Sequence, residues 1–194
     1  MILTGDPENR FLRKLPIFDV PAEGYDELYG SEQLDKYEAA FAELGKPIKE
    51  LKIVLDIGCA TGLLGEYLRS IGFDGLYVAV DLLEERLTAA KKKADSLWML
   101  IQADGEHLPF RDGCVDLAAC VTVIHLLDVE KALKEIIRIS RGYAAITLLK
   151  KSLDLKERLL KVLANSSEKF SFKEVSIPDL KDLVFVLRGR NAGL

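Results

Sequence analysis

Cysteine and histidine are scarce in this sequence of 194 residues, which has three cysteines and two histidines. Cys59, Cys114 and Cys120 form no C-x-x-C pair, and His107 and His125 stand at no usual metal-ligand spacing. We therefore expect no zinc site from this chain alone. An odd number of cysteines, in a sequence whose start does not read as a secretory signal, is typical of a protein in the reducing cytoplasm.

Long hydrophobic runs are also missing, since no window approaches the roughly 18 continuous apolar residues of a membrane-spanning helix. The composition is 49% hydrophobic and 30% charged, which is ordinary for a globular protein and excludes disorder and collagen-like repeats. The length predicts one domain. We expect it to occupy residues 25–194, preceded by an irregular N-terminal arm, residues 1–24, that contains Pro7, Pro16 and Pro21.

Charge is unevenly spread along the chain. The formal net charge is −4, yet residues 141–194 hold 11 Lys and Arg against 6 Asp and Glu, a surplus of +5. This surplus predicts either a docking site for an anionic partner or simply the solvated side of one helix.

Strand-like and helix-like segments alternate through most of the sequence. Spacings of three and four between Leu28, Leu34, Tyr37, Phe41 and Leu44 indicate an amphipathic helix in the second half of residues 25–44. Predicted strands then cover residues 52–57, 76–80, 97–101, 116–123 and 143–149, and helices cover 63–70, 83–93, 129–140 and 153–163. A hairpin is predicted for residues 173–177 and 183–187. The pattern predicts a doubly wound α/β fold with a mostly parallel seven-stranded sheet and a C-terminal antiparallel hairpin.

Ligands of open α/β sheets bind beyond the carboxyl ends of the strands, so the residues after each strand are the candidates for a site. The first strand is followed by Asp56-Ile-Gly-Cys-Ala-Thr-Gly62, in which glycines permit a sharp turn and a close approach to a ligand. Asp81 ends the second strand, 23 residues after Gly58, where a carboxylate can accept both hydroxyls of a ribose; its alternative role is a helix N-cap. Asp104 and Gly105 follow the third strand and face either an adenine or only a capped loop.

These segments resemble class I S-adenosylmethionine-dependent methyltransferases from about Tyr25 to Leu187. Leu55-Asp-Ile-Gly-Cys-Ala-Thr-Gly62 is similar to the family's first motif, in which glycine is usual where Ala60 stands. Residues 104–116 and 121–138 resemble the ubiquinone-biosynthesis-like subgroup (methyltransferase type 11). The chain departs from the subgroup's R-x-L-K-P-G-G at Arg138-Ile-Ser-Arg-Gly142, which has no proline.

The resemblance implies S-adenosylmethionine as cofactor and a role for each candidate residue. Asp56 and the loop residues Gly58, Cys59, Ala60 and Gly62 would hold the methionine part. Asp81 with Leu82 would hold the ribose, and Asp104 with Gly105 the adenine. Val121 and Thr122 would line the floor near the sulfonium. Tyr29 belongs to a segment that covers the cofactor in many members, although its alternative role is a core aromatic.

The acceptor is not specified by the sequence. His125 follows the fourth strand, where it would orient or deprotonate an acceptor or else form an inert wall, and His107 is expected to be structural. The motif of amino-group methylases, Asn/Asp/Ser-Pro-Pro-aromatic, is absent. Small-molecule and RNA acceptors both stay open. Residues 121–125 also resemble methylases of modified wobble uridine in tRNA, a subset that commonly works with a small zinc-ribbon activator.

The predicted third strand, residues 97–101, would be an unusually apolar sheet edge on which such an activator could pair. The alternative is that a helix covers Trp98. Two other functions compete with methyl transfer: a non-catalytic subunit that supports a partner, and a nicotinamide-dependent oxidoreductase. The G-x-A-x-G spacing and Asp56 argue against the oxidoreductase.

Overall fold

The computed structural model describes residues 21–190, so most of the predicted N-terminal arm, residues 1–24, lies outside the described residues. Five α-helices and seven strands are described. The helices are α1 (Tyr25–Ala42), α2 (Leu63–Ser70), α3 (Glu84–Lys91), α4 (Val129–Ile139) and α5 (Leu153–Asn165). The strands are β1 (Ile53–Ile57), β2 (Leu76–Asp81), β3 (Trp98–Gln102), β4 (Val115–Cys120), β5 (Ser140–Leu149), β6 (Phe170–Ser176) and β7 (Asp182–Gly189).

All seven strands form one sheet in the order β3-β2-β1-β4-β5-β7-β6. Strands β1 to β5 are parallel, with Leu55 opposite both Val78 of β2 and Ala118 of β4. Strand β7 runs antiparallel to β5 and to β6. This arrangement confirms the predicted α/β fold, including the antiparallel hairpin and the position of β3 at a sheet edge.

Helices cover both faces of the sheet. Residues of α1, α2 and α3 pack on one face around Tyr77 and Leu117, and residues of α4 and α5 pack on the other around Leu55 and Ile146. Because both faces are covered, the central strands are apolar without a strict alternation. No helix within residues 21–190 is both long enough and apolar enough to cross a membrane.

Helix α4 shows how the sequence produces one of these elements. Ala132, Leu133, Ile136 and Ile139 recur at helical spacing and are all fully buried. The carboxylate of Asp128 accepts hydrogen bonds from the N–H groups of Glu130 (3.1 Å) and Lys131 (3.3 Å), which begins the helix.

Helix α1 differs from the prediction in extent and in its buried face. It begins at Tyr25 and not halfway through the segment. Leu28 and Leu34, assigned to the apolar face, are 68% and 42% exposed, whereas Gln33 and Lys36 are buried. The apolar spacing was misleading because two polar side chains of this helix find partners inside the protein.

Strand β4 is shorter than predicted, because it ends at Cys120 and not at Val123. The cause is Thr122, whose φ of 61° is incompatible with an extended chain. Strand β5 begins earlier than predicted, at Ser140.

Candidate active site

A cavity of about 460 Å³ lies at the carboxyl ends of the parallel strands, beneath the N-terminal half of α1. Its volume falls within the range typical of small-molecule sites. The lining residues that the sequence predicts are Tyr29, Gly58, Ala60, Asp81, Leu82, Asp104, Gly105, Thr122 and His125. The sheet order places Asp81 and Asp104 at what we call the β2 end of the cavity, and Thr122, His125, Leu149 and Lys151 at its β5 end.

The loop after β1 turns beneath the cavity with the backbone in the left-handed region. Gly58 has φ 75°, and a Cβ atom there would lie 2.4 Å from Cγ2 of Val123. The N–H groups of Gly58 and Cys59 both donate to the carbonyl of Val80, at 2.8 and 2.9 Å. Gly62 has φ 81° and lies against the Trp98 ring. The loop is therefore built so closely that a side chain at position 58 would displace its neighbour.

Ala60 also has a positive φ, 46°. This conformation costs an L-residue with a Cβ atom roughly 1–2 kcal/mol, whereas glycine adopts it freely. The geometry supplies a physical reason for the glycine that is usual at this position of the resembling motif.

Asp56 lies behind the loop and not in the cavity wall. It is 4% exposed, and the hydroxyl of Tyr77 donates to its Oδ2 at 2.5 Å. Burial raises the pKa of Asp56 to about 7, against the lowering effect of the Tyr77 hydrogen bond and with a smaller contribution from the nearby charge of Asp81. The carboxyl group is therefore buried against Tyr77 of β2 and does not face the cavity.

Asp81 joins two parts of the site. Its Oδ2 accepts from the N–H of Ala60 at 2.9 Å, and its Oδ1 accepts from the N–H of Leu83 at 3.0 Å. Burial raises the pKa of Asp81, while these N–H groups oppose that effect. A carboxylate has about four acceptor positions, so Asp81 can still accept a donor from the cavity.

Asp104 and Gly105 form the neighbouring wall after β3. Oδ1 of Asp104 accepts from the N–H of Glu106 at 2.9 Å, and a Cβ atom at Gly105 would lie 2.9 Å from Ile57. His107 is largely exposed and approaches Asp104 at 3.5 Å. Asp104, Glu106 and His107 each bring one potential ligand atom within 4.8 Å of the others, but Glu106 already accepts the N–H of Asp128.

Helix α1 covers the cavity with aromatic side chains. Tyr25 and Tyr29 lie with their ring centroids 5.1 Å apart, and the guanidinium of Arg86 lies 4.9 Å from the Tyr25 centroid. Burial raises the pKa of Tyr25 to about 12, so its hydroxyl stays protonated. Asp26 fastens the same helix turn to the body, because it accepts from the hydroxyl of Thr61 and from Lys93.

His125 lies in a short 3₁₀ turn, Ile124–Leu126, at the β5 end of the cavity. Its Nδ1 is buried and has no hydrogen-bond partner among residues 21–190. Burial lowers the pKa of His125, and the charges of Lys36 and Lys151 lower it further, while Asp182 opposes them. The imidazole is therefore neutral at pH 7.

Four of the predicted site residues do not line the cavity. Cys59, Gly62 and Val121 are buried beside the loops, as is Asp56. Prediction from the sequence missed Tyr25, Gln33, Arg86 and Lys151, which line the cavity. Tyr25 and Gln33 could have been found, because they belong to residues 25–33, the segment that resembles the cofactor-covering segment of the family. No sequence pattern pointed to Lys151 or Arg86, because charged residues on helices and loops are usually solvated.

Comparison with known proteins links this geometry to one chemistry. A family model described as a methyltransferase domain matches residues 55–146. An uncharacterized protein of Methanocaldococcus jannaschii is 28% identical over 152 residues, which cover 74% of this chain and 64% of that protein. The chain thus spans less than two thirds of that relative.

Two solved structures share the fold. One is a Haloferax volcanii methyltransferase, described as putative, in complex with the Trm112 methyltransferase activator; the TM-score is 0.67 at 17% identity, covering 86% of this chain and 93% of that one. The other is the magnesium protoporphyrin IX methyltransferase of Synechocystis with bound S-adenosylmethionine; the TM-score is 0.68 at 15% identity, covering 97% and 100%.

Proposed function

We propose that this chain, in which residues 55–146 match a methyltransferase-domain model, is a class I S-adenosylmethionine-dependent methyltransferase and transfers the methyl group to an acceptor bound at the β5 end of the cavity. The observation that carries the proposal is the Asp81 carboxylate, which ends β2 inside the cavity and is fixed by the N–H of Ala60. The alternative is a non-catalytic subunit with the same fold.

The residues present fit this cofactor. Asp81 can still accept a hydrogen bond from the ribose, and Asp104 with Gly105 lies beside it where the adenine would bind. Gly58 and Ala60 form the floor on which the methionine part would lie. A Cβ atom at position 58 would displace Val123, which also lines the cavity. Asp56, Cys59, Gly62 and Val121 are buried outside the cavity wall, so we propose that they position these loops without contacting the cofactor. Tyr29 closes the cavity from α1.

When bound, the cofactor supplies a methyl group on a positively charged sulfur, already activated for in-line displacement. The protein therefore contributes mainly orientation and the exclusion of water. Tyr25 and Tyr29 exclude water from above, and Thr122 forms part of the floor. His125 is neutral, so its imidazole can accept a proton from an acceptor that must lose one.

The charge distribution favours a small-molecule acceptor over RNA. Between residues 141 and 190, every lysine and arginine except Lys151 has a hydrogen bond or ion pair within the described part of the chain. RNA binding rests on cations that are available to phosphates. These acceptors on the protein compete with phosphates for the basic side chains of the C-terminal quarter, which favours the small-molecule acceptor.

We further propose that a small activator protein pairs with strand β3. This strand is a sheet edge. Met99 on the strand is 47% exposed, and Leu97, which directly precedes the strand, is 43% exposed. Trp98 is not part of this surface, because its ring packs against Gly62 and Gly65 of the neighbouring helix. The complex of the Haloferax neighbour with an activator supports the proposal.

The test of the reaction uses S-adenosylmethionine labelled in its methyl group. The purified protein is incubated in parallel with total RNA and with a small-molecule extract, with and without a Trm112-type activator. We expect label in the small-molecule fraction and none with the Asp81→Ala variant. Label in RNA would show that the acceptor is RNA and not a small molecule. No transfer in any mixture would favour the non-catalytic subunit.

A further inference from the structure

A buried lysine of α1 that the proposed reaction does not use lies beside Thr122, at the β5 end of the cavity. Lys36 is 0% exposed. Its Nζ lies 2.8 Å from Oε1 of Glu32, 3.4 Å from Oδ1 of Asp182 and 3.0 Å from Oγ1 of Thr122. The ammonium group thus forms ion pairs with both carboxylates and donates a hydrogen bond to the Thr122 hydroxyl.

The backbone of Thr122 is linked to Asp182, the carboxylate that pairs with Lys36, through the hydroxyl of Thr147. Its N–H donates to Oγ1 of Thr147 at 2.8 Å, and the Thr147 hydroxyl donates to Oδ2 of Asp182 at 2.8 Å. Thr122 has a φ of 61°, which is rare for a β-branched residue. Such strain persists only where the surroundings fix it firmly, and it concentrates at functional sites.

The position of Lys36 sets the direction of the next hydrogen bond. Because the Thr122 hydroxyl accepts from Lys36, its single proton is free to be donated, and the acceptor is Oε1 of Gln33 at 3.2 Å. With the opposite orientation of the amide, both Lys36 and Gln33 would donate to this hydroxyl, and its own proton would have no acceptor among residues 21–190. The amide orientation of Gln33 follows from this network.

This network leaves the two N–H donors of the Gln33 amide available at the cavity. The Gln33 amide oxygen faces the protein, and Nε2 has no acceptor among residues 21–190. Gln33 lines the cavity, at the end that also holds Lys151 and the unpartnered Nδ1 of His125. Lys151 adds a positive charge without an ion pair in the described chain.

We propose that Lys36 is a positioning residue that acts through Thr122 to hold the amide N–H groups of Gln33 toward the cavity, where they bind a carbonyl or carboxylate oxygen of the methyl acceptor. The proposal rests on the proposed function, because the oxygen belongs to the acceptor. Because Lys151 is positively charged, we expect the oxygen to belong to a carboxylate and not to a neutral carbonyl.

The sequence permits a direct test, since it contains only two glutamines, Gln33 and Gln102. Protein labelled with ¹⁵N in the glutamine side chains gives two pairs of amide signals in an NMR spectrum. Nε2 of Gln102 donates to the carbonyl of Leu82 at 3.0 Å, so its signals are an internal reference. The probes are acetate and acetamide, added to protein saturated with S-adenosylhomocysteine.

We expect acetate to shift the Gln33 pair in a saturable manner while the Gln102 pair stays in place. Acetamide acting as well would indicate a neutral carbonyl, and acetate alone would indicate a carboxylate. Absence of any Gln33 shift with both probes, in protein that binds S-adenosylhomocysteine, would overturn the proposal. Should S-adenosylhomocysteine not bind, the proposed function fails, and the same titrations without it still test the Gln33 site.

Variants separate positioning from a general structural role. Thr122→Ser keeps the relaying hydroxyl and Thr122→Val removes it at similar volume, so Ser should retain the acetate response and Val should weaken it by roughly tenfold. Lys36→Met should behave like Thr122→Val, with Lys134→Met on the exposed side of α4 as control. If Lys36→Met does not fold, the Thr122 pair decides. Equal responses of Ser and Val would contradict the proposal.

Discussion

Oδ2 of Asp81 accepts a hydrogen bond from the backbone N–H of Ala60 at 2.9 Å. One carboxylate thereby connects the end of β2 to the loop that follows β1, across 21 residues of sequence. Because Asp81 also accepts from Leu83 at 3.0 Å, its orientation in the cavity is fixed before any ligand binds. Preorganised acceptors of this kind lower the cost of binding.

The loop conformation predicts opposite effects of two small substitutions. Ala60→Gly relieves a positive φ and should leave stability unchanged or raise it by up to about 1 kcal/mol. Gly58→Ala introduces a Cβ atom 2.4 Å from Val123 at φ 75° and should cost about 1–3 kcal/mol. Urea denaturation measures both. A destabilised Ala60→Gly together with a neutral Gly58→Ala would contradict the loop geometry.

Asp56 predicts a loss of stability as the pH rises. Burial raises its pKa in the folded protein to about 7, whereas in the unfolded chain the pKa is about 3.9. Between about pH 4 and pH 7 the folded state therefore holds the proton more tightly, and the stabilising contribution present below pH 4 disappears as the pH rises to 7 and slightly above. The expected loss is on the order of a few kcal/mol.

The matched variant for this effect is Asp56→Asn, which cannot ionise but keeps an acceptor for the Tyr77 hydroxyl. Its unfolding free energy should fall less than that of the wild type between pH 4 and pH 8, as measured by urea denaturation at each pH. Parallel curves for the two proteins would show that Asp56 ionises normally.

His125 predicts a pH-dependent rate. Since burial and the charges of Lys36 and Lys151 lower its pKa, a role as base would raise turnover as the pH increases through a value below 6.5. His125→Gln should remove that rise. Turnover on the acceptor found above is measured against pH, with binding of S-adenosylhomocysteine as control. An unchanged profile would make His125 part of the wall.

The edge strand predicts an asymmetric effect on activator binding. Met99→Lys places a charge on the exposed part of β3 and should abolish the proposed complex with a small activator protein, for which a Trm112-type protein is the probe. Phe172→Lys is the matched control, because Phe172 is 41% exposed on β6 at the opposite edge of the sheet. Co-purification of both variants measures the effect. Loss of binding only in Phe172→Lys would place the partner on the other edge.

The sequence predicted the alternation of strands and helices because buried parallel strands and α4 have strong local patterns. Asp81, Asp104 and the glycine loop were predictable for a related reason, since each directly follows a strand. Those expectations required only the strand positions and the rule that sites lie at carboxyl ends.

The errors have a common physical origin in long-range polar contacts. The burial of Gln33 and Lys36 depends on Thr122, which is 86 residues from Lys36, and on Asp182, which is farther still. Hydrophobic periodicity contains no information on such partners, so Leu28 and Leu34 were placed on the wrong face. The same threonine, with its positive φ, ended β4 early.

The most direct test of the account is calorimetric titration of S-adenosylhomocysteine into the wild type, Asp81→Ala and Asp35→Ala. Asp35 is an exposed carboxylate on α1 and serves as the control for charge. Loss of the hydrogen bonds to Asp81 should cost about 2–4 kcal/mol, or roughly thirtyfold to a thousandfold in affinity, while Asp35→Ala binds like the wild type. Equal affinities of the wild type and Asp81→Ala, or no binding by either, would contradict the assignment of this cavity to the cofactor.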